Sequence, residues 1–288
     1  MICLLPLIRD TREKASVTED ENLKVAAIDD IRSKINRANE HLADLEVEIG
    51  RFYATKPYDF RVERDPKTGE GVCYLTRCDD IPAKVSIIAG DVIHNLRSAF
   101  DYLAYQLVHV GTSGIGPFSH VYFPIVKLPD ELDAAIERKV KGAREEAKDA
   151  IRAVKPYEGG NNLLWHLHRL DIIDKHRLLV AASSTGFRNM GPQDLERFRK
   201  LWAESHRSTP DSCPITGAVW MPLKTFPLKA GAELIRGLTD AEINQQYKLH
   251  CFPAFNEPGT IERQSILETL KSMSDLTEDI TDEFAPLL

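Results

Sequence analysis

A run of seven apolar residues constrains this chain more than any other feature. Ile28, Ile31, Ile35, Ala38, Leu42, Leu45 and Ile49 recur at alternating steps of three and four. That spacing draws one stripe along a straight helix, as in a bundle or coiled coil. Thr18 and Glu21 have the spacing of a capping box and Gly50 supplies a stop, so the helix is expected over 19–49. A second long helix follows Asp80-Ile-Pro, over 81–110, with the stripe Ile88, Val92, Leu96, Ala99, Leu103 and Leu107. Gly90 inside it costs about 1 kcal/mol relative to alanine, a loss that close helix packing offsets. Further helices are expected over 130–154, over 163–182 with Asn162 as cap, over 192–206 and over 261–284.

Between the helices the period changes from 3.6 to two. Tyr58, Phe60 and Val62 alternate with polar residues, the turn-rich Asp65-Pro-Lys-Thr-Gly-Glu-Gly follows, and Val72, Tyr74 and Thr76 alternate again. This pattern is a β-hairpin over 57–78. Strand character returns over 214–256. Ala218 to Leu228 carries Pro222 and Pro227, which suits an edge strand, and Glu233 to Arg236 and Gln246 to Phe255 follow. No repeat or long linker breaks the chain. The expected architecture is a single α+β domain over 1–288, predominantly a helical bundle with a small antiparallel sheet. At 288 residues such a chain can bury about 75% of its unfolded surface, enough for a true core.

Composition narrows the class of function. With 43% apolar and 28% charged residues, the chain is neither mostly disordered nor a collagen-like fibre nor a multi-span membrane protein. No apolar run reaches the ~18 residues of a membrane span. The apolar start, Met1 to Ile8, lacks a basic region and a small-residue cleavage site, so it does not read as a signal peptide. The five cysteines (Cys3, Cys73, Cys78, Cys213, Cys251) are odd in number and form no CxxC, which favours reduced thiols in the cytoplasm. A net charge of −7 argues against a bulk polyanion binder, yet residues 134–208 hold 15 Lys and Arg against 10 Asp and Glu. That basic middle suits phosphates, or else forms solvated helix faces of mixed sign.

Chemistry-bearing side chains concentrate in two helices. In the first, His94, Arg97 and Asp101 share one face, with Asp91, Asn95, Ser98, Tyr102 and Tyr105 beside them. In the second, Arg169 and His176 are seven residues apart, which on a continuous helix aligns them about 10 Å apart along the axis. Asp174 and Lys175 adjoin His176, the kind of setting expected of an acid/base histidine. The competing reading of both helices is a set of salt bridges anchoring the bundle. No Walker loop, GxGxxG, GxSxG or HExxH motif is present.

The segment Arg169-Leu-Asp-Ile-Ile-Asp-Lys-His176 has the form R-x6-H. It resembles the R-x4-6-H signature of the HEPN superfamily, helical-bundle proteins that include many metal-independent ribonucleases. Leu170 stands where that motif often has a polar residue. The resemblance implies RNA cleavage or RNA binding without metal or cofactor. His176 is then the acid/base group, Arg169 stabilises the transition state, and the site forms between two protomers of a homodimer. Arg169, His176 and Asp174 are thus the candidate catalytic residues, and Lys175, Arg177, His94, Asn95 and Arg97 the candidate substrate-binding ones. The blocks Gly90-Asp-Val-Ile-His-Asn-Leu-Arg-Ser-Ala-Phe-Asp-Tyr-Leu-Ala and Asp174-Lys-His-Arg also resemble a group of bacterial proteins to which no function is attached. Two other readings stay open. Asp91-x-x-His94 and His168-x-x-Asp171 resemble half of a di-metal bundle site. Alternatively, the helices serve only oligomerisation or partner binding.

Overall fold

The computed structural model describes residues 9–116, 118–187, 226–238 and 249–288. The expected helix over 192–206, most of the expected strand from Ala218, and Cys3 and Cys213 lie outside these residues. The fold is α+β, built from helices and two small antiparallel sheets. Its contacts separate into two compact units. The first comprises Met1–Leu45, Ile87–Leu178 and Glu268–Leu288, and the second Glu46–Ser86 and Leu179–Leu267.

The first unit is helical. Helix α1 (Arg9–Ala54) begins earlier than the Thr18 cap suggests, since no proline or glycine interrupts the chain between Arg9 and Ile49, and it runs through Gly50, the expected stop, to Ala54. Its stripe is buried at Ile31, Ile35, Ala38, Leu42 and Leu45. Helix α2 (Ala83–Gly111) buries every member of its expected stripe, from Ile88 to Leu107. The expected helix over 130–154 is two: α3 (Leu132–Lys139) and α4 (Glu145–Val154). The break falls at Gly142, whose φ of +95° no right-handed helix can accommodate. Helix α5 (Asn162–Asp174) is capped by Asn161, whose side chain accepts a hydrogen bond from the Leu164 N–H at 3.1 Å. Asn162, the expected cap, instead accepts from the Gly159 N–H at 2.8 Å. The last helix of the unit, α6 (Ile266–Phe284), ties to α1 through Arg32–Asp282 at 2.9 Å and Ser274–Asn39 at 2.7 Å. Phe123 bridges the core, with ring centroids 5.1 Å from Phe100 on α2 and 6.2 Å from Phe284 on α6.

The second unit holds both sheets. Strands β1 (Tyr58–Arg64) and β2 (Gly71–Cys78) form the expected hairpin, and β4 (Glu233–Leu238) adds to β2. Strand β3 (Ala181–Phe187) pairs with β5 (Leu249–Glu257), which pairs with β6 (Ile261–Ser265). Two expected helices yield residues to this sheet. The chain leaves α5 at Asp174, so Ala181 and Ala182 are strand rather than helix. Ile261 to Ser265 likewise pair as a strand before α6 begins, with Arg263 at a φ of +66°. The partner of β3 is distant in sequence and local periodicity does not encode it, whereas β6 pairs with β5 across a short turn. Beneath the hairpin, Leu75, Leu228, Leu234 and Cys251 form a small core. Cys73 and Cys78 are free thiols. Among the described residues no helix is long and apolar enough to cross a membrane.

Candidate active site on helices α2 and α5

Gly90 sets how closely these helices approach. A Cβ at that position would lie 2.5 Å from both carboxylate oxygens of Asp174, so the last turn of α5 rests against the bare backbone of α2. The approach brings together side chains that are 71 to 84 residues apart in sequence.

Arg97 lies at the bottom of this contact, 6% exposed. Its Nη1 donates to Asp101 Oδ1 at 2.6 Å and its Nη2 to the Phe123 carbonyl at 3.2 Å. Its Nε donates to His168 Nδ1 at 3.4 Å. Asp101 also accepts from the Phe123 N–H at 3.0 Å. The expected i,i+4 pair is therefore present, and it clamps α2 to α5 and to the segment carrying Phe123. Arg97, expected to bind substrate, sits below the surface with all three of its nitrogens engaged inside the chain. His168 must stay neutral to accept from it. Burial, and then the charges of Arg97, Lys139, Arg169 and Lys175, push its pKa down to about 3.

Above this clamp, at the surface, Asp171 joins two exposed groups. Its side chain is only 4% exposed. Oδ1 is 3.5 Å from His94 Nδ1, an ion-pair distance rather than a tight hydrogen bond, and Oδ2 accepts from Lys175 Nζ at 2.6 Å. The side chains of His94 and Lys175 are 59% and 56% exposed. Asp174 lies beside them. Burial, and then the charges of Asp171 and Asp91, raise its pKa, and His94 opposes the rise. Asn95 donates to the Asp91 carbonyl one turn back at 2.8 Å.

The Arg169 and His176 pair is arranged differently from the expectation. Helix α5 ends at Asp174, and the His176 N–H closes a turn on the Ile173 carbonyl at 3.0 Å. One continuous helix therefore does not align the two side chains. Arg169 is half-buried, its guanidinium 5.8 Å from the centroid of the Trp165 ring. His176 and Arg177 are exposed on the turn, and Arg177 donates to the Leu178 carbonyl at 3.1 Å. The four residues of the di-metal pattern do not converge. His94 and Asp171 meet, but His168 faces Arg97, and no group of three His, Cys, Asp or Glu side chains among the described residues could hold a metal ion.

Asp171 is the residue that sequence reasoning placed only in the metal pattern. Its partnership with His94 spans two helices, so the one advance signal was a polar residue on a mostly apolar helix face. No protein-family model, curated protein or solved structure matches the chain.

Proposed function

We propose that this chain cleaves RNA by metal-independent acid–base chemistry, with His94 rather than Arg169 at its centre. One observation carries the reading: an exposed imidazole and an exposed ammonium share a single buried carboxylate, Asp171. A carboxylate behind an imidazole orients the ring and stabilises the cation formed when the ring takes a proton, the logic of catalytic triads generally. The 3.5 Å separation is compatible with that role, because such contacts tighten when substrate binds. RNA is the substrate this set suits, since its 2′-hydroxyl supplies the nucleophile and the protein need supply only a base, an acid and a positive charge.

In this reading His94 takes the 2′-hydroxyl proton as the oxygen attacks phosphorus. The O2′–P bond forms, the P–O5′ bond breaks, and protonated His176 on the adjoining turn gives its proton to the departing 5′-oxygen. Lys175 balances the charge gathering on the non-bridging oxygens. The products are a 2′,3′-cyclic phosphate and a free 5′-hydroxyl. A cytoplasmic location belongs to the same reading, supported by the free thiols of Cys73 and Cys78.

The test is cleavage of a single-stranded RNA in EDTA by the wild type and by folded His94→Ala and Asp171→Asn variants. Loss of a general base lowers the rate about 10²- to 10⁴-fold, so His94→Ala is expected to be nearly silent. Wild-type inactivity at high protein and low salt, or full activity of His94→Ala, overturns the proposal.

A further inference from the structure

The solvent-facing side of α2 does not end at His94. At 100° per residue, His94, Ser98, Asp101, Tyr105 and His109 follow one another down the same face, with Tyr102 at its border. Each of these residues is exposed or half-exposed, while the opposite face is fully buried. The far end of the face is aromatic. Tyr105 and Phe118 have ring centroids 5.0 Å apart, Tyr105 and His109 lie nearly parallel at 5.9 Å, and His109 and Phe118 are also 5.9 Å apart. Tyr105 is 39% and Tyr102 43% exposed. Lys34 of α1 sets its ammonium 5.5 Å from the centroid of the Tyr102 ring. Gly114, at a φ of +75°, folds the next loop back so that its N–H meets the His109 carbonyl at 2.8 Å.

Resting on the function proposed above, we infer that the Tyr105–His109–Phe118 cluster is a base-stacking platform, and that the substrate is therefore single-stranded RNA lying along α2. Two features favour a nucleic-acid strand over an apolar peptide or a second copy of the chain. One of the three rings is an imidazole, and the Tyr102 ring that borders the face carries the Lys34 ammonium, a mixture that serves stacking and phosphate neutralisation together. The cluster is also collinear with the proposed reacting groups. His94 and Tyr105 are eleven residues apart, about 16 Å along the helix axis, so a strand whose scissile phosphate sits at His94 carries bases to the rings a few nucleotides away. The acidic side chains on this face do not oppose that path equally. Asp101 is neutralised by Arg97 at 2.6 Å, and Asp91 lies at the far side of His94.

The experiment measures anisotropy of a labelled eight-nucleotide 2′-O-methyl RNA, which cannot be cleaved through its 2′-oxygen, with the intact protein. Wild type is expected to bind the single strand and to bind a duplex of the same sequence far more weakly, because paired bases offer no free faces. Tyr105→Ala should weaken binding about 5- to 150-fold, the range for loss of one stacked base. Tyr105→Phe, which keeps the ring, should bind as wild type and guards against a folding defect. Equal binding of Tyr105→Ala and wild type, preference for the duplex, or no binding at all overturns the inference. Ring-dependent binding without cleavage of ordinary RNA overturns only the catalytic reading. Cleavage with Tyr105-independent binding overturns only the platform.

Discussion

Replacing Gly90 with alanine sets two effects of known size against each other. An alanine in the interior of α2 gains about 1 kcal/mol over glycine from helix propensity alone. The same methyl group lands 2.5 Å from both oxygens of Asp174, where ordinary contact begins near 3.4 Å. The carboxylate must retreat by about 1 Å or turn to another rotamer, and overpacking of this kind costs about 1–3 kcal/mol. In the wild-type background Gly90→Ala is therefore expected to be neutral to destabilising by up to about 2 kcal/mol. In an Asp174→Ala background the obstruction is absent, and the same substitution should stabilise by about 1 kcal/mol. The coupling between the two sites is then about 1–3 kcal/mol, within reach of a double-mutant cycle. Urea denaturation of the four proteins, followed by circular dichroism with m-values compared, measures it. If Gly90→Ala stabilises both backgrounds equally, α5 does not rest against α2 at Gly90, and the meeting of His94 with Asp171 loses its structural basis.

Two further predictions concern the clamp beneath the site. His168 is held far below its ordinary pKa of 6.5, so as pH falls the unfolded chain takes up this proton first. Stability should fall from about pH 6.5 downward, at up to ~1.4 kcal/mol per pH unit, or about 2 kcal/mol by pH 5. His168→Gln, which has no proton to gain, should flatten that part of the profile in urea melts at pH 7 and pH 5, and an unchanged slope refutes the assignment. Arg97→Met strips the buried partner from Asp101 and the Phe123 carbonyl and should cost about 3 kcal/mol by denaturant midpoint. A cost below about 1 kcal/mol would mean that the network does not hold the helices together.

The helices were legible in the sequence where a stripe repeated over many turns. The α2 stripe from Ile88 to Leu107 is buried throughout, as its spacing requires. Ends were less legible, because partners distant in the chain decide them. Nothing local in Val180-Ala-Ala-Ser-Ser says that α5 has already stopped. The residues turn to strand because Ala181 pairs with Phe255 and Ser183 with Pro253. That single boundary matters for the site, since the seven-residue spacing of Arg169 and His176 implies one shared face only on an unbroken helix. The Arg97–Asp101 pair could be read from its i,i+4 spacing. The use of Asp171 could not, because it depends on how closely Gly90 lets two helices approach.

The measurement that bears most directly on the central claim is the chemistry of the RNA ends produced in EDTA, read by mass spectrometry for wild type beside His94→Ala. Wild type is expected to leave 2′,3′-cyclic phosphate and 5′-hydroxyl ends, and the variant none above background. Ends carrying a 5′-phosphate, cleavage that requires an added divalent cation, or the same cyclic ends from His94→Ala would contradict that claim.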